Sequence, residues 1–283
     1  MSFFVETNGI RLHYLDHPGD GPTLLLVPGL TANCHVFDGL VAAGLGQSLR
    51  VLVPDMRGRG SSDKPEAGYT MADHAADMAG MIRAMGLSKV IMGGHSFGGL
   101  LSIVMAANYP ELVERIVIID AAIAMASEQT RLQIKPSLDR LERSYPSFAA
   151  YLDQIKQAPY YRGWQWDQLV ESYYRHDVAP AEDGTLRPRS QPAHIAAAMD
   201  GVIAEPWHTH MSTIDKPALL LNAPGPYGPP GAAPIVSEAQ ARETADRLVN
   251  CRYVQVHGNH QTMLYGEGAA EIVTAIHSFV QLP

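Results

Sequence analysis

The chain has 283 residues, 46% of them hydrophobic and 18% charged, with a formal net charge of −8. This is the composition of an ordinary globular protein with a substantial core, suited to one domain or one domain with an insertion. The acidic balance excludes the basic footprint of a nucleic-acid binder and argues against anionic membrane surfaces. Cys34 and Cys251, the only two cysteines, form neither a disulfide framework nor a metal-ligand spacing. Without a basic n-region, a long apolar h-region or an apolar run of membrane-spanning length, a soluble cytoplasmic protein with reduced thiols is expected.

Residues 3–7 and 10–16 alternate apolar and polar around Thr7-Asn8-Gly9, which reads as a hairpin. The runs at 23–27 and 50–54 are continuously apolar, as strands buried on both faces require. The first ends at Pro28-Gly29-Leu30-Thr31, the second at Asp55-Met56-Arg57-Gly58-Arg59-Gly60-Ser61-Ser62. A helix over 71–85, a strand over 89–92, a helix over 97–108 and a buried strand over 115–120 follow. From 121 to 214 the texture changes: helical patterns alternate with prolines, no strand-like run occurs, and all three tryptophans fall here. This stretch is expected to be a helical insertion. Strand texture resumes up to 221; a Pro/Gly-rich loop over 222–234, a helix over 237–248, a strand over 251–257 and a helix over 269–280 complete the chain. Strands alternating with helices predict an α/β fold with a mostly parallel sheet covered on both faces. Residues 1–120 and 215–283 would form the core domain and 121–214 a helical cap.

The chemistry centres on Gly94-His95-Ser96-Phe97-Gly98. A serine between glycines at two-residue spacing, set between a strand and a helix, fits a nucleophile elbow. The helix N-terminus behind it favours developing negative charge. A serine hydroxyl needs a base, and position selects His260 from the 12 histidines, because it follows the last strand and shares a rim with Ser96. His257, at the strand end, reads as packed. His95 reads as a pocket or packing residue, and His13, His17, His74, His176, His194 and His277 as surface or helix-face residues. The loop over 222–237 holds no Asp or Glu. Asp120, ending the strand after the elbow helix, is therefore the first candidate for the orienting acid and Glu238 the second. Leu30 and Phe97 are the candidate oxyanion-hole amides. The pair His208-x-His210 lacks companion ligands, and the glycines around Ser96 lack a phosphate-loop lysine.

The elbow, Pro28-Gly29-Leu30, the 55–62 motif and Gly258-Asn259-His260 together resemble the α/β-hydrolase superfamily across the chain outside the insertion. The resemblance implies that fold, a Ser-His-acid triad, a helical cap, and no metal or organic cofactor. A serine nucleophile argues against epoxide hydrolases and haloalkane dehalogenases, which carry aspartate there. The displaced acid is similar to that of the (E)-2-(acetamidomethylene)succinate hydrolase and zearalenone lactonase types.

The expected activity is hydrolysis of a small-molecule carboxylic ester, lactone or amide through an acyl-enzyme. C–C bond hydrolysis of a vinylogous diketone, a cofactor-independent oxygenase or perhydrolase, and a non-catalytic ligand receptor are the alternatives. Tyr160, Trp164, Trp166 and His95 are candidates for the substrate pocket and suggest an apolar or aromatic substrate. Arginines 131, 140, 143, 162 and 175 could bind a substrate carboxylate, but most read as solvated helix faces. Monomer and homodimer both stay open.

Overall fold

A computed structural model describes residues 1–281. Strands β1 (Ser2–Thr7) and β2 (Ile10–His17) pair antiparallel across Asn8 and Gly9, whose φ values are 47° and 75°. Such a left-handed pair suits Asn-Gly and matches the twist of the flanking strands. The apolar runs become β3 (Thr23–Val27), β4 (Arg50–Pro54), β5 (Val90–His95) and β6 (Val113–Ile119). A small hairpin, β7 (Val178–Pro180) with β8 (Leu186–Pro188), precedes the last two core strands, β9 (Ala218–Asn222) and β10 (Cys251–Gln255). Among the described residues the main sheet has eight strands in the order β1-β2-β4-β3-β5-β6-β9-β10. It is antiparallel at β1/β2 and β2/β4 and parallel from β4 onward. Every residue of β5 and β9 is buried, as central strands covered on both faces must be.

The helices of this layer are α1 (Asp38–Ala42), α2 (Met71–Ala84), α3 (Phe97–Asn108), α10 (Glu238–Asp246) and α11 (Gly266–Val280). Reciprocal capping boxes start two of them: Thr70 with Asp73 at α2, and Ser237 with Gln240 at α10. No helix among the described residues is long and apolar enough to cross a membrane.

Between β6 and β9 the chain forms α4 (Glu128–Gln133), α5 (Lys135–Asp139), α6 (Phe148–Lys156), α7 (Gln168–Asp177), α8 (Pro192–Ala204) and α9 (Trp207–Thr213). The β7–β8 hairpin here corrects the all-helical expectation. Its three-residue strands are too short to show an alternation, and the Asp183 carboxylate holds its turn by accepting from Thr185 N at 3.0 Å. A second correction concerns Arg140, which is buried at 4% exposure rather than solvated. Its guanidinium donates to both carboxylate oxygens of Asp177 at 3.1 and 3.3 Å, and the Tyr151 hydroxyl donates to the same carboxylate.

Parallel registry aligns the strand ends that matter. Val27 pairs with Gly94, His95 with Ile119, Ile119 with Leu221, and Asn222 with Gln255. The loops leaving β3, β5, β6, β9 and β10 therefore share one rim, where ligands bind in parallel α/β sheets.

Candidate active site

The turn at Ser96 is possible only with glycines beside it. Ser96 has φ 55° and ψ −117°, in a region costly for a side-chain-bearing residue. A Cβ on Gly94 would lie 2.3 Å from the Gly98 carbonyl carbon, and one on Gly98 would lie 2.0 Å from the Val27 oxygen. Backbone thus fills the space on both sides, and Ser96 stands as the N-cap of α3.

Ser96 Oγ lies 3.0 Å from His260 Nε2, and His260 Nδ1 lies 2.6 Å from Asp120 Oδ2. A carboxylate only accepts, so Nδ1 carries the proton and the Nε2 lone pair faces the serine hydroxyl. The other Asp120 oxygen accepts from Asn222 Nδ2 at 2.8 Å and from Ala223 N at 2.9 Å. Asp120 is fully buried, with φ 46°, a left-handed conformation that Asp tolerates better than most residues. The arrangement can take a proton from a hydroxyl and hold the resulting imidazolium against a fixed negative charge.

His95 is not part of this series. Its Nε2–H donates to the His260 backbone oxygen at 2.8 Å, and burial, then the neighbouring His260, pushes its pKa well below the usual value. It stays neutral and braces the His260 loop. Gly29 lets β3's exit pass this ring, since a Cβ there would sit 3.3 Å from His95 Nδ1.

Leu30 and Phe97 both border the recess at Ser96, and neither backbone N–H has a protein acceptor among the described residues. Arg59 touches both residues: Nε donates to the Leu30 oxygen at 2.9 Å, and the guanidinium lies 5.8 Å from the Phe97 ring centre. Its Nη1 donates to the Arg57 oxygen at 2.8 Å, and burial lowers its pKa to about 9.

The structure brings Ser96, His260, Asp120, Leu30, Phe97 and His95 together, but not the aromatic residues expected around a substrate. Trp164 and Trp166 pack on each other and on Tyr161, with Tyr265 against the first and Tyr174 against the second, and among the described residues neither lines the two recesses at Ser96. Tyr160 stands one layer back, stacked on Tyr227 at 4.8 Å. Glu238 pairs with Arg242 on the exposed face of α10. His257, expected to be packed, is exposed and pairs with Glu271, and His13 is buried in β2 rather than on the surface; His74 and His194 do lie on helices, α2 and α8, but on their buried faces.

Sequence reading missed Asn222, which holds Asp120, and Ser137 and Tyr227, whose hydroxyls meet at 2.7 Å beside the recess. A signal for Asn222 does exist: it is a carboxylate-shaped amide at the strand end where an acid is usually sought. Among the described residues two groups offer three metal-ligand atoms each, His13 with Cys34 and Asp55, and His257 with Glu267 and Glu271. Neither includes a residue of the Ser96 site, and Asp55 already accepts from His13, Cys34 N and Ser61 N.

Residues 22–223 match the family described as alpha/beta hydrolase fold. Over 206 residues the chain is 31% identical to 2-(acetamidomethylene)succinate hydrolase of Mesorhizobium japonicum, covering 72% of this chain and 70% of that one. Over 227 residues it is 32% identical to N-formylmaleamate deformylase of Pseudomonas putida, covering 77% and 76%. The solved structure of E-2-(acetamidomethylene)succinate hydrolase superposes with a TM-score of 0.82 at 27% identity, covering 100% of this chain and 99% of that one. The chain belongs to the α/β-hydrolase family.

Proposed function

We propose that this hydrolase is a serine enzyme cleaving a carboxylic ester, lactone or amide of a small molecule through an acyl-enzyme. The observation that carries the reading is the hydrogen-bonded series Ser96–His260–Asp120 on one sheet rim. Ser96 Oγ attacks the carbonyl carbon as its proton passes to His260 Nε2, and Asp120 stabilises the imidazolium. The Leu30 and Phe97 amides and the α3 N-terminus receive the developing oxyanion. His260 then protonates the leaving group, and water attacks the acyl-enzyme by the same route reversed. The relatives named as an N-formylmaleamate deformylase and a 2-(acetamidomethylene)succinate hydrolase support a carbonyl–heteroatom bond as the target. In this reading 121–214 is the cap over a core made of 1–120 and 215–283.

A fluorophosphonate probe read by intact-protein and peptide mass spectrometry tests the proposal. A single adduct on Ser96, abolished by S96A, is expected, followed by turnover of members of an ester, lactone and amide panel. Folded protein without an adduct would overturn the serine reading and favour a ligand receptor.

A further inference from the structure

Ser96 opens onto two recesses of different chemistry. One, about 60 Å³, carries the polar groups of His260, Gln261, Thr31, Ser137 and Tyr227 on a wall otherwise formed by apolar residues such as Leu30, Val36 and Leu138. The other, about 30 Å³, is bordered by Phe97, Leu100, Met125, Ile134, Met199 and Val202. His260 borders only the first. In acyl transfer the histidine hands its proton to the departing group, so that group must lie on the His260 side. The acyl chain is left with the second recess, beside Leu30 and Phe97.

Neither recess is lined by Lys or Arg among the described residues. Arg140 stands behind Thr31 and Ser137, donating to the Thr31 hydroxyl at 3.4 Å and to the Ser137 oxygen, and its charge is paired with Asp177. Arg59 gives Nε and Nη1 to two backbone oxygens, and its unpartnered Nη2 is buried outside the lining of both recesses. An anionic substrate group would lose its hydration here without a charged partner, which is costly. The first recess offers hydroxyls instead: Ser137 bonds Tyr227 at 2.7 Å, and burial pushes the Tyr227 phenol up, keeping it a donor. The second is apolar and holds on the order of two to four carbon atoms.

Met199 closes that second recess. Met199 also borders a cavity of about 350 Å³ beside α8, where Leu138, Leu141, Ile195 and Ala196 give the apolar part of the wall and Arg131, Asp139 and Glu142 the charged part. We propose that the substrates are uncharged esters or amides of short aliphatic acids with a hydrogen-bonding leaving group, and that Met199 sets the acyl length. This rests on the serine-hydrolase reading.

Kinetics with p-nitrophenyl esters from acetyl to decanoyl, in wild type and M199A, test it. The wild type should favour two to four carbons. M199A joins the two cavities, so its optimum moves to longer chains, and kcat/KM for octanoyl rises tenfold or more, the gain per accommodated methylene being about fourfold. M199V, a smaller excavation, should shift the profile less and guards against an unstable M199A. Labelling rates with alkyl fluorophosphonates of matching chain length give the same ordering without turnover. An unchanged profile in M199A would remove Met199 as the wall. Equal wild-type rates on a glutaryl half-ester and its neutral methyl ester would overturn the charge argument while leaving Ser96 as nucleophile. Absence of any Ser96 adduct would sink the hydrolase reading, and this inference with it.

Discussion

Replacing Asp120 with Asn tests the orienting role at its most sensitive point. Asp120 Oδ1 accepts two donors, Asn222 Nδ2 and Ala223 N, while Oδ2 accepts from His260 Nδ1 at 2.6 Å. An asparagine amide keeps the two-donor side satisfied only by placing its oxygen there. Its NH₂ then faces His260, which must turn Nδ1 into an acceptor and carry its proton on Nε2, pointing at Ser96. The reverse orientation sets NH₂ against two buried donors, leaving them unsatisfied at about 1–3 kcal/mol each. The first orientation wins, the fold survives, and the base is lost. The expected fall in kcat is about 10⁴-fold, equivalent to about 5.4 kcal/mol of transition-state stabilisation. Steady-state kinetics on an activated ester, with a thermal melt to show the fold intact, measures it. Glu238→Gln, altering only an exposed ion pair with Arg242, should stay within twofold of wild type. A nearly active D120N beside a crippled E238Q would refute the assignment of the acid.

Four further outcomes follow from packing and charge. Gly98→Ala drives a Cβ to 2.0 Å from the Val27 oxygen, so denaturant melts should show a loss of about 3 kcal/mol or more, or no soluble protein. Gly46, with nothing within 4 Å of an added methyl, should accept alanine at about ±0.5 kcal/mol. His74 is buried with neither ring nitrogen bonded; burial, then Arg59 and Arg57, push its pKa well below 6.5. The folded state keeps it neutral while the unfolded chain takes a proton below about 6.5, so its contribution is present above that pH and lost on acidification. Wild type should therefore lose about 1.4 kcal/mol more than H74F per pH unit below 6.5, and parallel slopes in urea titrations would contradict this. Asp177→Asn leaves Arg140 buried without its counter-charge, at a cost of about 3–5 kcal/mol. Limited proteolysis should then cut within 121–214 first, and an unchanged cleavage pattern would show that the pair does not hold this segment.

The core is legible in the sequence because its physics leaves little choice. A strand covered on both faces must be apolar throughout, so 23–27, 50–54 and 218–221 announce themselves, and a serine at φ 55° must have glycines beside it. Strand ends drift where glycine hides them: β5 runs on through Gly93 and Gly94 to His95, beyond the apolar run at 89–92. The insertion is legible only coarsely. Tryptophans and tyrosines there satisfy one another in a cluster of rings, and no local pattern distinguishes a ring that faces a ligand from one that faces another ring. Histidine burial is equally hidden, because His74 and His194 acquire their surroundings from Tyr69 and Phe97, which are distant in sequence from at least one of them.

The acid-free loop after β9 gains a positive meaning from the geometry. Its emptiness of carboxylates points to Asp120 by elimination, one strand nearer the elbow. An acid moved inward becomes fully buried, and a buried carboxylate needs donors on the oxygen that the histidine does not use. Those donors come from the same loop, as the Asn222 amide and the Ala223 N–H. Asn222 is itself fixed, giving a second N–H to the Val236 oxygen and accepting from the Tyr253 hydroxyl. An aspartate at 222 would face Asp120 across 2.8 Å of buried space, and two carboxylates that close do not both stay ionised. Asparagine at this strand end thus supplies Asp120 with a donor that an aspartate could not, so the loop without an acid and the buried Asp120 one strand away are two halves of a single arrangement.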